Sequence, residues 1–214
     1  DDTIGVSLLF AFIYHERKES YAIVSNNLYS AQKSYEFLLN FLPEEDVVFF
    51  PADELLRAAK LSSSKELMAQ RLYAMGQLSS PGAKILITHP AALLRYLPDP
   101  KAFQKSMISL QKGSKCDLGE LKSQLVEMGY QKVNKIDQSL EFASRGDILD
   151  IFSVNYLKPV RIEFFDDEIE SVRFFDVATQ SSLEDVERFS ILPANDFLLD
   201  DEAITSFAHR LKER

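Results

Sequence analysis

The stretch Arg145-Gly-Asp-Ile-Leu-Asp-Ile-Phe152, a short loop, then Pro159-Val-Arg-Ile-Glu-Phe-Phe-Asp-Asp-Glu-Ile-Glu170 and Ser171-Val-Arg-Phe-Phe-Asp176 reads at a period of two. It predicts three short strands in a meander, with Asp166, Asp167 and Glu168 as a solvated turn between two of them. In the middle strand Val160, Ile162 and Phe164 share one face and belong in a core, while Arg161, Glu163 and Phe165 share the other. A large aromatic beside two charges on an outward face suits a partner surface, where Arg and Phe are enriched. Phe165 is the residue that does not fit a solvated strand.

Outward from the meander, the chain changes texture near Pro98–Pro100. Before it, helix and strand alternate. Val6–Tyr14 is apolar nearly all round and predicts a buried helix. Tyr21–Ser25, Val47–Phe50 and Lys84–Thr88 are short apolar runs suited to buried parallel strands. Between them, Leu28, Ala31, Tyr35, Leu38, Leu39 and Leu42 follow helical spacing up to Pro43. Ser63 and Glu66 form a capping-box pattern for a helix to about Leu78, and Pro90 opens a short helix at Ala91–Leu94. Alternation of this kind predicts a parallel sheet covered by helices.

After the change, Met107–Gln111 reads as a strand. Asp117 and Glu120 cap a helix carrying Leu118, Leu121, Leu125 and Met128, with Gly129 as its stop. Val133–Asp137 reads as another strand before the meander. Beyond Leu192-Pro193, Ile204, Phe207, Ala208 and Leu211 lie on one helical face, and that helix is expected to return to the first domain. The expected organisation is an α/β domain over residues 1–106, an inserted α+β domain over 107–192, and a returning helix over 193–214. There are no internal repeats and no low-complexity segment.

The chain has 214 residues, 46% of them hydrophobic, enough for one large or two smaller cores. A formal net charge of −9 argues against broad phosphate-backbone binding. A single cysteine, Cys116, excludes an internal disulfide and fits a reducing cytoplasm. The longest apolar run falls short of the roughly 20 residues a membrane span needs, and Asp1 and Asp2 precede it where an export signal would carry positive charge. With no initiating Met, the chain reads as a fragment of a larger cytoplasmic protein.

Nucleotide chemistry on an α/β domain ordinarily uses G-x-x-x-x-G-K-[ST], whose backbone N–H groups, Lys and hydroxyl hold phosphates and Mg²⁺. None of the seven glycines precedes a Lys, so the motif is absent. His15, His89 and His209 are widely separated and lack metal-ligand spacing. No catalytic triad or dyad follows from spacing. The residues read from the bottom up describe a binding module, with no catalytic and no metal-ligating set.

The segments Phe142–Phe152 and Pro159–Asp176 resemble the region shared by the excision-repair protein UvrB and the transcription-repair coupling factor, Mfd. Thr179-Gln-Ser-Ser-Leu183 and Ile191-Leu-Pro-Ala194 are similar to the coupling factor in particular, while Tyr21–Gln32 resembles the strand-to-helix passage that follows the motor loop and Met68-Ala-Gln-Arg-Leu72 is also typical. Two departures separate the chain from UvrB itself. The stretch corresponding to UvrB's phosphate loop, about Thr3–Leu8, has only Gly5 and no Lys; the interval between Phe50 and Lys84 lacks a Tyr-rich hairpin, holding only Tyr73.

The resemblance implies a degenerate RecA/helicase-like parallel-sheet domain with an inserted α+β domain, the UvrB 1a-2-1b arrangement. It implies a UvrA-recruiting module without ATP or Mg of its own, those belonging to a C-terminal translocase motor beyond this chain. RNA polymerase and DNA would be engaged through domains absent here, and a C-terminal domain would mask the UvrA-binding face. It carries the partner-binding role onto Arg145, Arg161 and Phe165. Each has a structural alternative: Arg145 paired with Asp147 or Glu163, Arg161 in a cross-strand pair, and Phe165 folded under the turn to complete a core edge. A nucleotide-binding helicase domain and a UvrB-type damage-loading fragment are the competing functions.

Overall fold

A computed structural model describes residues 3–52, 65–94 and 97–195. These fall into two compact units. The first consists of residues up to 94 together with 138–140 and 152–157; the second takes 97–137, 141–151 and 158–195.

In the first unit, helix α1 (Thr3–Arg17) precedes strand β1 (Tyr21–Val24), helix α2 (Leu28–Leu38), strand β2 (Val47–Phe49), helix α3 (Lys65–Leu78), strand β3 (Ile85–Thr88) and helix α4 (Pro90–Leu93). The strands form a parallel sheet in the order β1-β3-β2, with Tyr21 and Val47 both in register with Ile85. Val47, Val48, Ile85 and Ile87 are fully buried, which accounts for the unbroken apolar character of β2 and β3. Strand β1, expected to be buried, is covered on one face only: Ile23 is buried, while Ala22 and Val24 are exposed. Asn27 caps α2 by accepting the N–H of Ser30 at 2.8 Å. Ser63 lies outside the described residues, so the predicted capping box stays with the sequence.

One expectation is corrected at α1. The helix is present, but it is buried along one stripe only, at Ser7, Ala11 and Tyr14. Tyr14 reaches across to donate its hydroxyl to Ala83 O at 2.7 Å. Leu9 and Phe12, 55% and 65% exposed, lie off that stripe. Apolar residues all round a helix predict burial all round only when neighbours exist on every side.

The second unit begins with helix α5 (Pro100–Lys105) and strand β4 (Ile108–Gln111), followed by helix α6 (Leu118–Glu127) and strands β5 (Gln131–Lys132), β6 (Glu141–Arg145), β7 (Ile148–Ile151), β8 (Val160–Phe165), β9 (Glu168–Phe175), β10 (Ser182–Asp185) and β11 (Arg188–Ile191). Six of them form a sheet in the order β10-β9-β8-β7-β6-β5, antiparallel except for β5 against β6. The remaining two, β4 and β11, pair separately. At the start of α6, Asp117 accepts the N–H of Glu120 at 2.7 Å. At its end, Gly129 (φ +95°) and Tyr130 donate back to Val126 O and Leu125 O, closing a Schellman turn.

The predicted strand at Val133–Asp137 is not formed. Pairing stops at Lys132, and the chain bends so that Ile136 is buried and the Asp137 N–H is held by Glu141 Oε2 at 2.9 Å. Val133 and Ile136 stand three apart, a spacing that puts them on opposite faces of a strand, and burial of a single side chain does not need a strand. Strands β6, β10 and β11 are additions that the sequence reading did not separate out. The helix expected near residues 201–212 lies outside the described residues.

Candidate partner-binding face

Strand β8 alternates as its sequence demands: Val160, Ile162 and Phe164 are buried, while Arg161 and Glu163 are half-buried and Phe165 is 73% exposed. Register extends that second face across the sheet. Glu163 lies opposite Ile148 on β7, which lies opposite Arg145 on β6. Arg161 lies opposite Asp150, and Asp150 opposite Ala143. Arg145, Arg161 and Phe165 therefore belong to one face, with Arg145 two strands away from β8, about 10 Å.

The three do not share one environment. Arg161 forms a fork with its cross-strand neighbour: Nε donates to Asp150 Oδ1 at 2.7 Å and Nη2 to Asp150 Oδ2 at 2.8 Å. Nη2 also donates to Gln180 Oε1 at 3.1 Å, and the guanidinium carbon sits 4.5 Å from the centre of the Phe175 ring. The side chains of Arg161 and Asp150 are only 14% and 6% exposed. Hydrogen bonding from Asp150 holds the Arg161 guanidinium above its ordinary pKa. The cross-strand pair given above as the alternative for Arg161 is thus formed, because the directly opposite residue on β7 is an acid.

Arg145 is exposed at the end of β6 and joins no ion pair among the described residues. Glu163, one alternative partner, is already engaged by Arg173 and by the Ser171 hydroxyl at 2.9 Å. Phe165 does not fold under the turn.

The hairpin tip bearing Phe165 is held by its surroundings. A bulge leaves Glu170 without a partner on β8, since Glu163 pairs with Ser171 but Phe164 with Ile169. Asp166 takes the left-handed conformation, φ +57°, in the two-residue turn. Residues 113–116 then lace the outer edge of the tip. Gly113 and Cys116 donate to Ile169 O and Asp167 O at 2.8 and 2.7 Å, and Ile169 donates to Ser114 O at 3.0 Å. Lys115 Nζ meets Asp167 Oδ2 at 2.8 Å, which lowers the Asp167 pKa and raises that of Lys115. A shallow groove of about 250 Å³, lined by Lys112, Gly113, Phe165, Glu168, Ile169 and Glu170, runs beside the ring.

No group of His, Cys, Asp or Glu capable of holding a metal occurs among the described residues. Burial, then Asp117 and Glu120, push the Cys116 thiol pKa up, away from nucleophilic character. An exposed aromatic fixed on a braced hairpin and an open guanidinium on the same face suit recognition. The alternation pointed to Phe165 and Arg161; the support given by residues 113–116 carries no local sequence signal, because it joins segments about fifty positions apart.

Residues 108–197, which contain this face, match the family model described as UvrB interaction domain. The protein class is therefore one carrying a UvrB-type interaction domain. Over 196 residues, 92% of the chain, it is 33% identical to a transcription-repair-coupling factor of Bacillus subtilis (strain 168). It is 31% identical over 199 residues, 93% of the chain, to one of Staphylococcus aureus (strain USA300). The chain is thus similar to transcription-repair-coupling factors over nearly all of its own residues, and it spans 17% of the length of these relatives. Among the described residues no helix is long and apolar enough to cross a membrane.

Proposed function

We infer that this chain is the UvrA-recruiting module of a transcription-repair coupling factor, and that Arg145, Arg161 and Phe165 form its partner-binding face. In this reading residues 107–192 are an α+β insertion in a degenerate RecA-like domain made of residues 1–106 and 193–214. The whole protein recognises RNA polymerase stalled at a DNA lesion, releases it with an ATP-driven motor outside this chain, and passes the lesion to excision repair in the cytoplasm. A C-terminal domain outside this chain masks the face until the protein is engaged. The observation that carries the reading is Phe165: 73% exposed on a braced hairpin inside the segment that matches the interaction domain.

Phe165 acts as the apolar anchor and Arg145 supplies charge-assisted hydrogen bonds to carboxylates on UvrA. Arg161, stacked on Phe175 and forked onto Asp150, presents its remaining edge to the same partner. Calorimetric titration of UvrA with the 214-residue chain tests the assignment; absence of binding at tens of micromolar refutes it. The chain itself is expected to hydrolyse no ATP, since it lacks the Lys and Ser/Thr of a phosphate loop that stabilise charge in phosphoryl transfer. Saturable micromolar binding of Mg-ATP would overturn that part.

A further inference from the structure

The first unit contains a cleft of about 640 Å³, far larger than the groove beside Phe165. All of its lining residues belong to that unit. One wall is a single helical stripe of α3, where Glu66, Ala69, Gln70 and Tyr73 recur at spacings of three and four. The opposite wall comes from the segments 138–140 and 152–157, which contribute Leu140, Phe152, Val154 and Leu157. A volume of this size accommodates a small organic molecule or two to three side chains of a peptide.

Two features indicate the chemistry of the occupant. Leu157 is 97% exposed on the lip, an apolar side chain left in water while Leu140 and Phe152 are covered or partly covered. Glu44 and Glu66, also lining the cleft, are exposed carboxylates that join no ion pair among the described residues. Among the described residues no Lys or Arg lines the cleft, and the charged groups there are of one sign. Burial and then Glu44 raise the Tyr73 pKa, as expected beside an acidic wall. Apolar walls with an unneutralised acidic rim complement a ligand that is apolar in its body and cationic at its end.

We propose that this cleft docks a short peptide segment of a partner in which an aromatic or large aliphatic residue is followed by Lys or Arg. The apolar side chain enters between the α3 stripe and Leu140, Phe152 and Leu157, and the cation is met by Glu44 and Glu66. This site is separate from the Arg145 and Phe165 face, has the opposite charge preference, and stands or falls without it. It would give the first unit a recognition role of its own.

The test uses the 214-residue chain and two blocked dipeptides, N-acetyl-Phe-Arg-amide and N-acetyl-Phe-Glu-amide, followed by amide chemical shifts. Phe-Arg should bind in the millimolar range, with the largest shifts at Ala69, Gln70, Tyr73 and Leu140. Phe-Glu should bind at least tenfold more weakly. The double variant Glu44→Gln, Glu66→Gln should erase that preference, and Leu157→Asp, at a fully solvated position, should weaken Phe-Arg with an unchanged melting curve. Equal affinity for both dipeptides, shifts confined to other regions, or no binding of Phe-Arg at 10 mM concentrations (about the top of the useful range for such weak contacts) would each overturn the proposal.

Discussion

Truncating Phe165 separates a partner anchor from a core residue. The ring is mostly in water, so Phe165→Ala should change folding stability by no more than about 0.5 kcal/mol. Under the proposed reading the same substitution should cost about 2 kcal/mol or more of UvrA affinity, near thirtyfold. Melting curves beside binding isotherms check both halves, and an early melt or wild-type affinity would remove Phe165 from the interface. Asp150 and Arg161 behave differently because they are mutually satisfied and shielded. Asp150→Ala strands a buried guanidinium and should destabilise the second unit by about 3 kcal/mol. Replacing both together, Asp150→Leu with Arg161→Met, should lose much less, since no unpaired charge remains. Urea midpoints for the two variants give the comparison. If the double variant is the weaker of the two, the pair contributes through more than mutual neutralisation.

At the scale of elements, the turn after α6 shows how a single residue sets where a helix ends. Gly129 has φ +95°, a conformation in which L side chains are strained, although a Cβ there would meet only ordinary contacts at 3.6 Å from Ala194 and Asn195. Gly129→Ala should therefore act through the backbone, lowering stability by about 1 kcal/mol. For a unit of this size that is a melting shift of roughly 4–8 °C, readable by calorimetry. This stop, the Asp117 cap and the alternation of β8 were all legible in the sequence because each is enforced by contacts within a few residues. Strands β2 and β3 were legible for a related reason, burial on both faces, whereas β1 is covered on one face only, with Ala22 and Val24 exposed on the other. Val133–Asp137 misled because two apolar residues between polar ones were read as a strand although their spacing of three does not alternate, and its only deeply buried member, Ile136, sits in a bent segment. Strand β10 was missed because it is exposed at all four positions, leaving no alternation to read. Strand β11 does alternate, but over four residues only, and its partner β4 lies far away in sequence. Of the candidate face, Phe165 was legible from its misfit on an outward strand position. The Asp150 fork was open only as an alternative, since pairing register is fixed by the turn between β7 and β8 and not by either strand alone.

At the scale of the whole molecule, the two units should respond differently to alkali, because the most strongly displaced tyrosine sits in one of them. Tyr14 is 1% exposed, donates to Ala83 O, and has its pKa pushed up to about 12 from 10.0, first by burial and then by the Asp46 carboxylate. A group with a raised folded-state pKa favours the folded state through its protonated form. Its contribution is complete below pH 10, where folded and unfolded states are both protonated. It is lost as pH rises from 10 toward 12, where the unfolded chain releases the proton and the folded one retains it. The displacement corresponds to about 2.7 kcal/mol at full loss, concentrated where α1 meets the loop before β3. Amide exchange at pH 8 cannot read this interval, but urea unfolding followed at pH 9, 10.5 and 11.5 can, with Tyr14→Phe as the control. The wild-type chain should lose stability steeply across that series. Tyr14→Phe should start lower by about 1 kcal/mol, for the lost hydrogen bond, and then decline less. Parallel slopes in the two proteins would mean that Tyr14 ionises freely and that its hydroxyl is not held in the interior as the geometry requires.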